Sequence, residues 1–111
     1  IICTTTPSTT PVLPDDKELL RGKCIIAIGS YMPEMREIPD AVLDLVDNVY
    51  IELPYACEES GDLSQPLASG KLTKDRVKLM QEGQTTYFKS VGMGLFDVCI
   101  AQKLYEVAKE K

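Results

Sequence analysis

The chain has 111 residues, 44% of them apolar, and sets 12 Lys and Arg against 17 Asp and Glu for a net charge of −5. That length leaves no room for a second full domain, and the apolar content argues against disorder. The acidic balance removes the basic footprint that nucleic acid or an anionic membrane face requires, and no apolar stretch nears the ~18 residues of a spanning helix.

Ile1 to Thr5 is β-branched and apolar, and Pro7, Pro11 and Pro14 break it, which predicts a strand end followed by a rigid loop. Asp15 or Asp16 is placed to cap a short helix through Leu20, stopped by Gly22. Cys24 to Ile28 is a continuous apolar run ending at Gly29. It reads as the most buried strand, covered on both faces of a parallel sheet. Asp40 is expected to cap a helix over Ala41 to Val46, and Val49 to Ile51 with Leu53 forms the next strand. The polar stretch from Glu58 to Gly70 predicts one helical turn at most before Gly61. Thr73 then caps a helix from Lys74 to Met80, Thr85 to Phe88 is β-prone, and Ser90 caps a long helix to about Lys109. That last helix is apolar on most faces from Val91 to Ala101, so its first half is expected to be buried between two bodies and its charged second half to lie on a surface. The alternation predicts an α/β layered domain with a mostly parallel sheet flanked by helices.

Cys3, Cys24, Cys57 and Cys99 form no CxxC pair and the chain has no histidine, which supports neither a metal site nor a redox motif. Cys3, Cys24 and Cys99 sit in apolar runs and read as small buried hydrophobes in a reducing, cytoplasmic compartment. Without histidine, acid or base chemistry falls to carboxylates, Lys, Tyr or Cys.

Ligands of open α/β sheets bind outside the carboxyl ends of the strands, and two such ends are rich in small polar groups. Cys3 to Thr10 offers hydroxyls and backbone N–H groups suited to a nucleotide, or simply a threonine-rich strand ending in a turn. Ile28-Gly29-Ser30 carries a glycine that admits a flat ring to the backbone, or serves a plain turn. Ser90-Val91-Gly92-Met93-Gly94 falls short of a dinucleotide fingerprint because position 97 is Asp and no βαβ unit follows. It still places Ser90 and the N–H groups of Val91 and Gly92 at a helix start, where a carboxylate, carboxamide or phosphate is favoured, or where Ser90 merely caps. Among Glu34, Glu37, Glu52, Glu58, Glu59, Asp62 and Asp97 spacing picks out no catalytic pair, and a solvated face is the default for most. Asp97 stands out because it lies in the apolar half of the last helix, and Lys89 is the only cation beside a candidate site.

Four segments together resemble the ornithine cyclodeaminase/mu-crystallin family: Thr4 to Leu13, Ala27 to Glu37, Glu59 to Asp62, and Phe88 to Gly94. They occur in the family's order and at about its spacing. The resemblance implies a partial NAD(P)-binding Rossmann-type domain over residues 1–90. Residues 91–111 would be a helix returning towards an amino-terminal dimerisation domain, within a homodimer of roughly three times this length. It places Thr4 and Thr6 beside the dinucleotide, Ile28, Gly29 and Ser30 on the nicotinamide side, and Ser90, Val91 and Gly92 at the carboxamide or substrate end. The chemistry implied is hydride transfer between NAD or NADP and the carbon of a small amino or imino acid's C–N bond. At the position where ornithine cyclodeaminases and an alanine dehydrogenase carry a catalytic Asp, this chain has Tyr31. That favours a ketimine or pyrroline-2-carboxylate reductase over ornithine cyclisation, with Tyr31 a proton donor or a wall of the pocket. A non-catalytic, mu-crystallin-like protein that binds a small ligand is the alternative.

The family's glycine-rich phosphate loop, ribose-reading acid and substrate-binding Lys and Arg precede the matched segment. Ile1 corresponds to the first residues of the fourth strand in the order 3-2-1-4-5-6. The expectation is therefore a carboxy-terminal piece of a longer protein with an exposed sheet edge at its first strand.

Overall fold

The computed structural model describes residues 1–83 and 86–111. Five short strands form one wholly parallel sheet: β1 (Ile2–Thr4), β2 (Ile25–Ala27), β3 (Val49–Ile51), β4 (Val77–Leu79) and β5 (Tyr87–Lys89), in the spatial order β1-β2-β5-β3-β4. A consecutive order would put β3 beside β2. Instead β5 returns to fill that place and leaves β1 and β4 as edges.

The helices are α1 (Lys17–Leu20), α2 (Asp40–Leu45), α3 (Ala56–Glu59), α4 (Gly61–Ser69) and α5 (Gly94–Lys109). Asp16 caps α1 by accepting from the N–H groups of Glu18 and Leu19. Asp15 serves the next helix, its Oδ1 accepting from Ala41 N at 2.9 Å. Asp40 therefore does not cap α2: it sits inside the first turn, and its carboxylate pairs with Arg36.

Three expectations from the pattern fail here. The stretch after Glu59 is a nine-residue helix, α4, started by Ser60 Oγ on Asp62 N and stopped at Gly70 with φ +78°. Lys74 to Met80 is a 3-10 turn (Lys74–Arg76) running into strand β4, because Val77 and Leu79 alternate with Lys78 at a two-residue period. The last helix starts at Gly94, with Ser90 four residues upstream and turned to another partner, and Thr85 lies outside the described residues.

The core lies on one face of the sheet. Ile25, Ala27, Val49, Ile51 and Tyr87 point from the strands into Leu20, Val42, Leu43, Leu63 and Leu72. Their neighbours Ile26, Tyr50 and Phe88 point the other way and are only half-buried, so two-sided coverage of β2 does not hold within these residues. No residue of α5 is buried, its apolar first half included, because among the described residues no other element packs closely against it. Cys3 and Cys99 are exposed for the same reasons, one on an edge strand and one on this helix, rather than buried as their apolar surroundings suggest. Among the described residues no disulfide joins the four cysteines, and no helix is long and apolar enough to cross a membrane.

Candidate functional site

In a parallel sheet every carboxyl end faces the same way. Register sets Thr4 beside Ala27, Ala27 beside Lys89 and Lys89 beside Ile51, so these four form the last buried row before the loops. The sequence-predicted groups lie just beyond it.

The loops after β1 and β2 are joined by one carboxylate. Glu37, fully buried, accepts from Thr4 Oγ1 at 2.8 Å and Gly29 N at 2.8 Å on Oε2, and from Thr6 N at 2.5 Å on Oε1. Burial pushes this carboxyl up, but the hydrogen bonds from Thr6, Thr4 and Gly29 outweigh it and hold it below the usual glutamate value. Ile28 N and Gly29 N also donate to the carbonyl of Thr4. The approach is close enough that a Cβ on Gly29 would strike the backbone N and O of Thr6.

A second buried network supports the first. Asp62 Oδ1 accepts from Glu37 N at 2.7 Å and Ile38 N at 2.9 Å, while Lys89 Nζ stands 3.7 Å from Oδ2 and 3.4 Å from the carbonyl of Ala27. Burial pushes Asp62 up and Lys89 down, as expected for a charge pair taken out of water. Ser30, also buried, donates to the carbonyl of Met35 and shares a 2.8 Å hydrogen bond with Ser60. Gly61 N donates to Met32 O, and there is no room for a Cβ at Gly61 against the carbonyls of Met35 and Pro33. The turn over residues 31–37 is thereby pinned onto the start of α4.

At the end of β5 a third carboxylate repeats the arrangement. Glu52 Oε1 accepts from Ser90 Oγ at 2.8 Å, Val91 N at 2.8 Å and Gly92 N at 2.9 Å. The donors that the sequence offered to a ligand's carboxamide or phosphate are thus already taken by the protein. Gly92, at φ +86° with nothing within 4 Å of a Cβ, leaves the outer side of this turn open.

All the predicted binding positions therefore gather at one edge of the sheet. Thr4, Thr6 and Gly29 are tied by Glu37, Ser30 is turned inward to Ser60, and Ser90, Val91 and Gly92 are held by Glu52. Ile28 is 44% exposed and Tyr31 52% exposed at the rim. Asp97 is exposed in the first turn of α5, where its charge suits the helix dipole. Glu37 and Asp62 depart from the solvated face that is the default for most of the acids: both are buried, and the donors to their carboxylates stand 24 or more residues away in sequence, apart from Gly29. Cavities also lie elsewhere, one of about 180 Å³ between α1, α2 and the start of β2. Another of about 520 Å³ runs between β3, β4, α3 and α4, and an apolar one of about 210 Å³ lies over Ile26 and Phe88 on the open face of the sheet.

The sequence profile of the ornithine cyclodeaminase/mu-crystallin family matches residues 1–111. A Δ1-pyrroline-2-carboxylate reductase of Bacillus cereus is 33% identical over 125 aligned residues, covering 100% of this chain and 38% of that protein. A probable ornithine cyclodeaminase from Bordetella pertussis Tohama I superposes with a TM-score of 0.63 at 28% identity, over 98% of this chain and 39% of that one. The Δ1-pyrroline-2-carboxylate reductase of Thermococcus litoralis, solved in complex with NADH and L-proline, shares the fold with a TM-score of 0.68 at 23% identity, over 97% and 36%. The chain spans well under half the length of the relatives it matches.

Proposed function

This chain belongs to the ornithine cyclodeaminase/mu-crystallin family, and from that membership we propose that it carries part of the cofactor site of an NAD(P)-dependent reductase acting on a small cyclic imino acid. In this reading residues 1–90 are the carboxy-terminal half of a Rossmann-type domain. Residues 91–111 return towards a second domain, whose surface covers the apolar side of α5. The full-length protein is a cytoplasmic homodimer in amino acid metabolism, a location that four cysteines without a disulfide among the described residues support.

The observation that carries the reading is the convergence of three loops, after β1, β2 and β5, on one carboxyl edge. The residues there fit a flat, uncharged, hydrogen-bonding group. Ile28 and the open side of Gly92 give it apolar and backbone surface, and Thr6 adds a half-buried hydroxyl. They do not fit a pyrophosphate, since the cations there are already engaged: Lys89 is buried beside Asp62, and Arg36, in the loop after β2, pairs with Asp40 and donates to the carbonyl of Ile38. The nicotinamide end of the dinucleotide is thus the part assigned to this segment.

When bound, NAD(P)H supplies a hydride to the carbon of the substrate's C=N bond, and a proton completes the amine. The chain's own contribution is positional: Thr4 to Thr6 and Ile28 to Ser30 form one wall, and Ser90 to Gly92 the other. Tyr31 at the rim is a wall of the substrate pocket or the donor of that proton. Its phenol in place of the family's catalytic aspartate disfavours ornithine cyclisation.

The test is oxidation of NADH and NADPH by the full-length protein with Δ1-pyrroline-2-carboxylate. Turnover with the imino acid and none with ornithine supports the reading. Ammonia release from ornithine overturns it, and cofactor binding without any turnover favours the non-catalytic, mu-crystallin-like alternative.

A further inference from the structure

Glu37 is a buried carboxylate facing three donors and no cation at ion-pair distance among the described residues. A charge so placed costs desolvation, which its hydrogen bonds must offset. Its three donors explain why a carboxylate is used. Two are backbone N–H groups, Thr6 N on one oxygen and Gly29 N on the other, so both oxygens must accept. A glutamine satisfies one of them and turns its NH2 against the other. The third donor, Thr4 Oγ1, is a hydroxyl that adapts to either partner.

Glu37 is itself held from both sides. Its N–H donates to Asp62 Oδ1 and its carbonyl accepts from Val12 N at 2.8 Å. Its carboxylate therefore links the loop after β1 to the turn after β2 through a fixed point. Gly29 completes the device, because a built Cβ would also come within 2.6 Å of Glu37 Oε1.

We propose that Glu37 is a positioning residue for the cofactor: it sets the separation of the Thr4–Thr6 loop from the Ile28–Ser30 turn, and so fixes the shape of the wall against which the nicotinamide end lies. This rests on the reading above that these loops face the dinucleotide. Glu37 touches neither cofactor nor substrate, so its removal should act on cofactor binding first.

The experiment is steady-state kinetics of the full-length protein with NADH or NADPH and Δ1-pyrroline-2-carboxylate, alongside thermal melting. E37Q is expected to raise the cofactor KM about tenfold, the scale of one lost charge-assisted hydrogen bond, with the imino-acid KM within about twofold of wild type. T4V removes one donor to the same carboxylate, from a hydroxyl turned away from solvent, and is expected to raise the cofactor KM about threefold. V49A, a buried change at the amino end of β3, is the control for lost stability and should leave both KM values unchanged. Wild-type cofactor KM in E37Q overturns the proposal. If E37Q does not fold, T4V decides, and an unchanged cofactor KM there overturns it equally. A wild-type protein that oxidises neither cofactor refutes the functional reading and the proposal together, whereas an active wild type with unaffected variants refutes the proposal alone.

Discussion

Replacing Gly29 by alanine isolates the contact between the two loops. Gly29 has an ordinary φ, so alanine meets no backbone strain, only lack of space. The new methyl would overlap the backbone N and O of Thr6 and approach Glu37 Oε1 to 2.6 Å, and backbone atoms cannot swing aside as a side-chain tip can. The loop after β1 must retreat, which breaks the Thr6 hydrogen bond to Glu37 and loosens that of Gly29. A hydrogen bond to a charged group contributes about 1.5–3 kcal/mol net, and forced overpacking costs about 1–3 kcal/mol. The sum is about 2.5–6 kcal/mol, a large share of the ~5–15 kcal/mol that stabilises a typical domain. Urea unfolding followed by circular dichroism reads this directly, provided the slope of the transition is unchanged. Gly22→Ala is the contrasting case, with φ +72° and nothing within 4 Å, and should cost only about 1–2 kcal/mol from left-handed strain. Equal costs at the two positions, or a Gly29→Ala protein within about 0.5 kcal/mol of wild type, would refute the close-packed loop argument.

Other consequences concern the buried polar groups. The phenol of Tyr87 is buried with no hydrogen-bond partner among the described residues, so Tyr87→Phe should stabilise the fold by about 1 kcal/mol in the same urea assay. Lys89→Met leaves Asp62 buried without its cation and should cost about 3–5 kcal/mol, much of it recovered in the double variant with Asp62→Asn. Lys17 and Lys71 bracket Asp44 at 2.7 and 2.8 Å and hold its carboxyl down to about 2. Because the folded value lies below the unfolded one of 3.8, this contribution is complete above that pH and is lost as pH falls towards 2. Carboxyl carbon shifts in an NMR titration should place Asp44 near 2 in the wild type and closer to 3.8 in the Lys17→Met, Lys71→Met double variant.

Local chemistry made some of this legible and hid the rest. β2 and β3 declare themselves as short apolar, β-branched runs, and Asp16 and Gly22 bracket α1 as caps and stops should. The loops were legible as clusters of hydroxyls and glycine at strand ends. Helix α4 was hidden because its apolar inward residues, buried Leu63 and Pro66 and half-buried Leu67, are few, and a proline inside a polar stretch reads as a loop. β4 was hidden because three residues with a central lysine carry too little pattern to outweigh the helix-forming residues around them. Glu37 and Glu52 were illegible for a different reason. A carboxylate that saturates donors on strands far away in sequence looks, in sequence, like any surface acid. Only the register of β1, β2, β3 and β5 shows that the donors and the acids share one edge.

In the proposed function this edge forms the nicotinamide end of a dinucleotide site. Titration of the isotope-labelled 111-residue chain with NADH, followed by amide NMR, tests it most directly. Weak binding is expected, because Arg36 and Lys89 are already paired with Asp40 and Asp62 and leave the pyrophosphate no free cation at these loops, with shift changes concentrated at Thr4 to Thr10, Ile28 to Ser30 and Ser90 to Gly92. Changes centred instead on the cavity between β3, β4, α3 and α4, or no change at any of the three loops at saturating NADH, would contradict it.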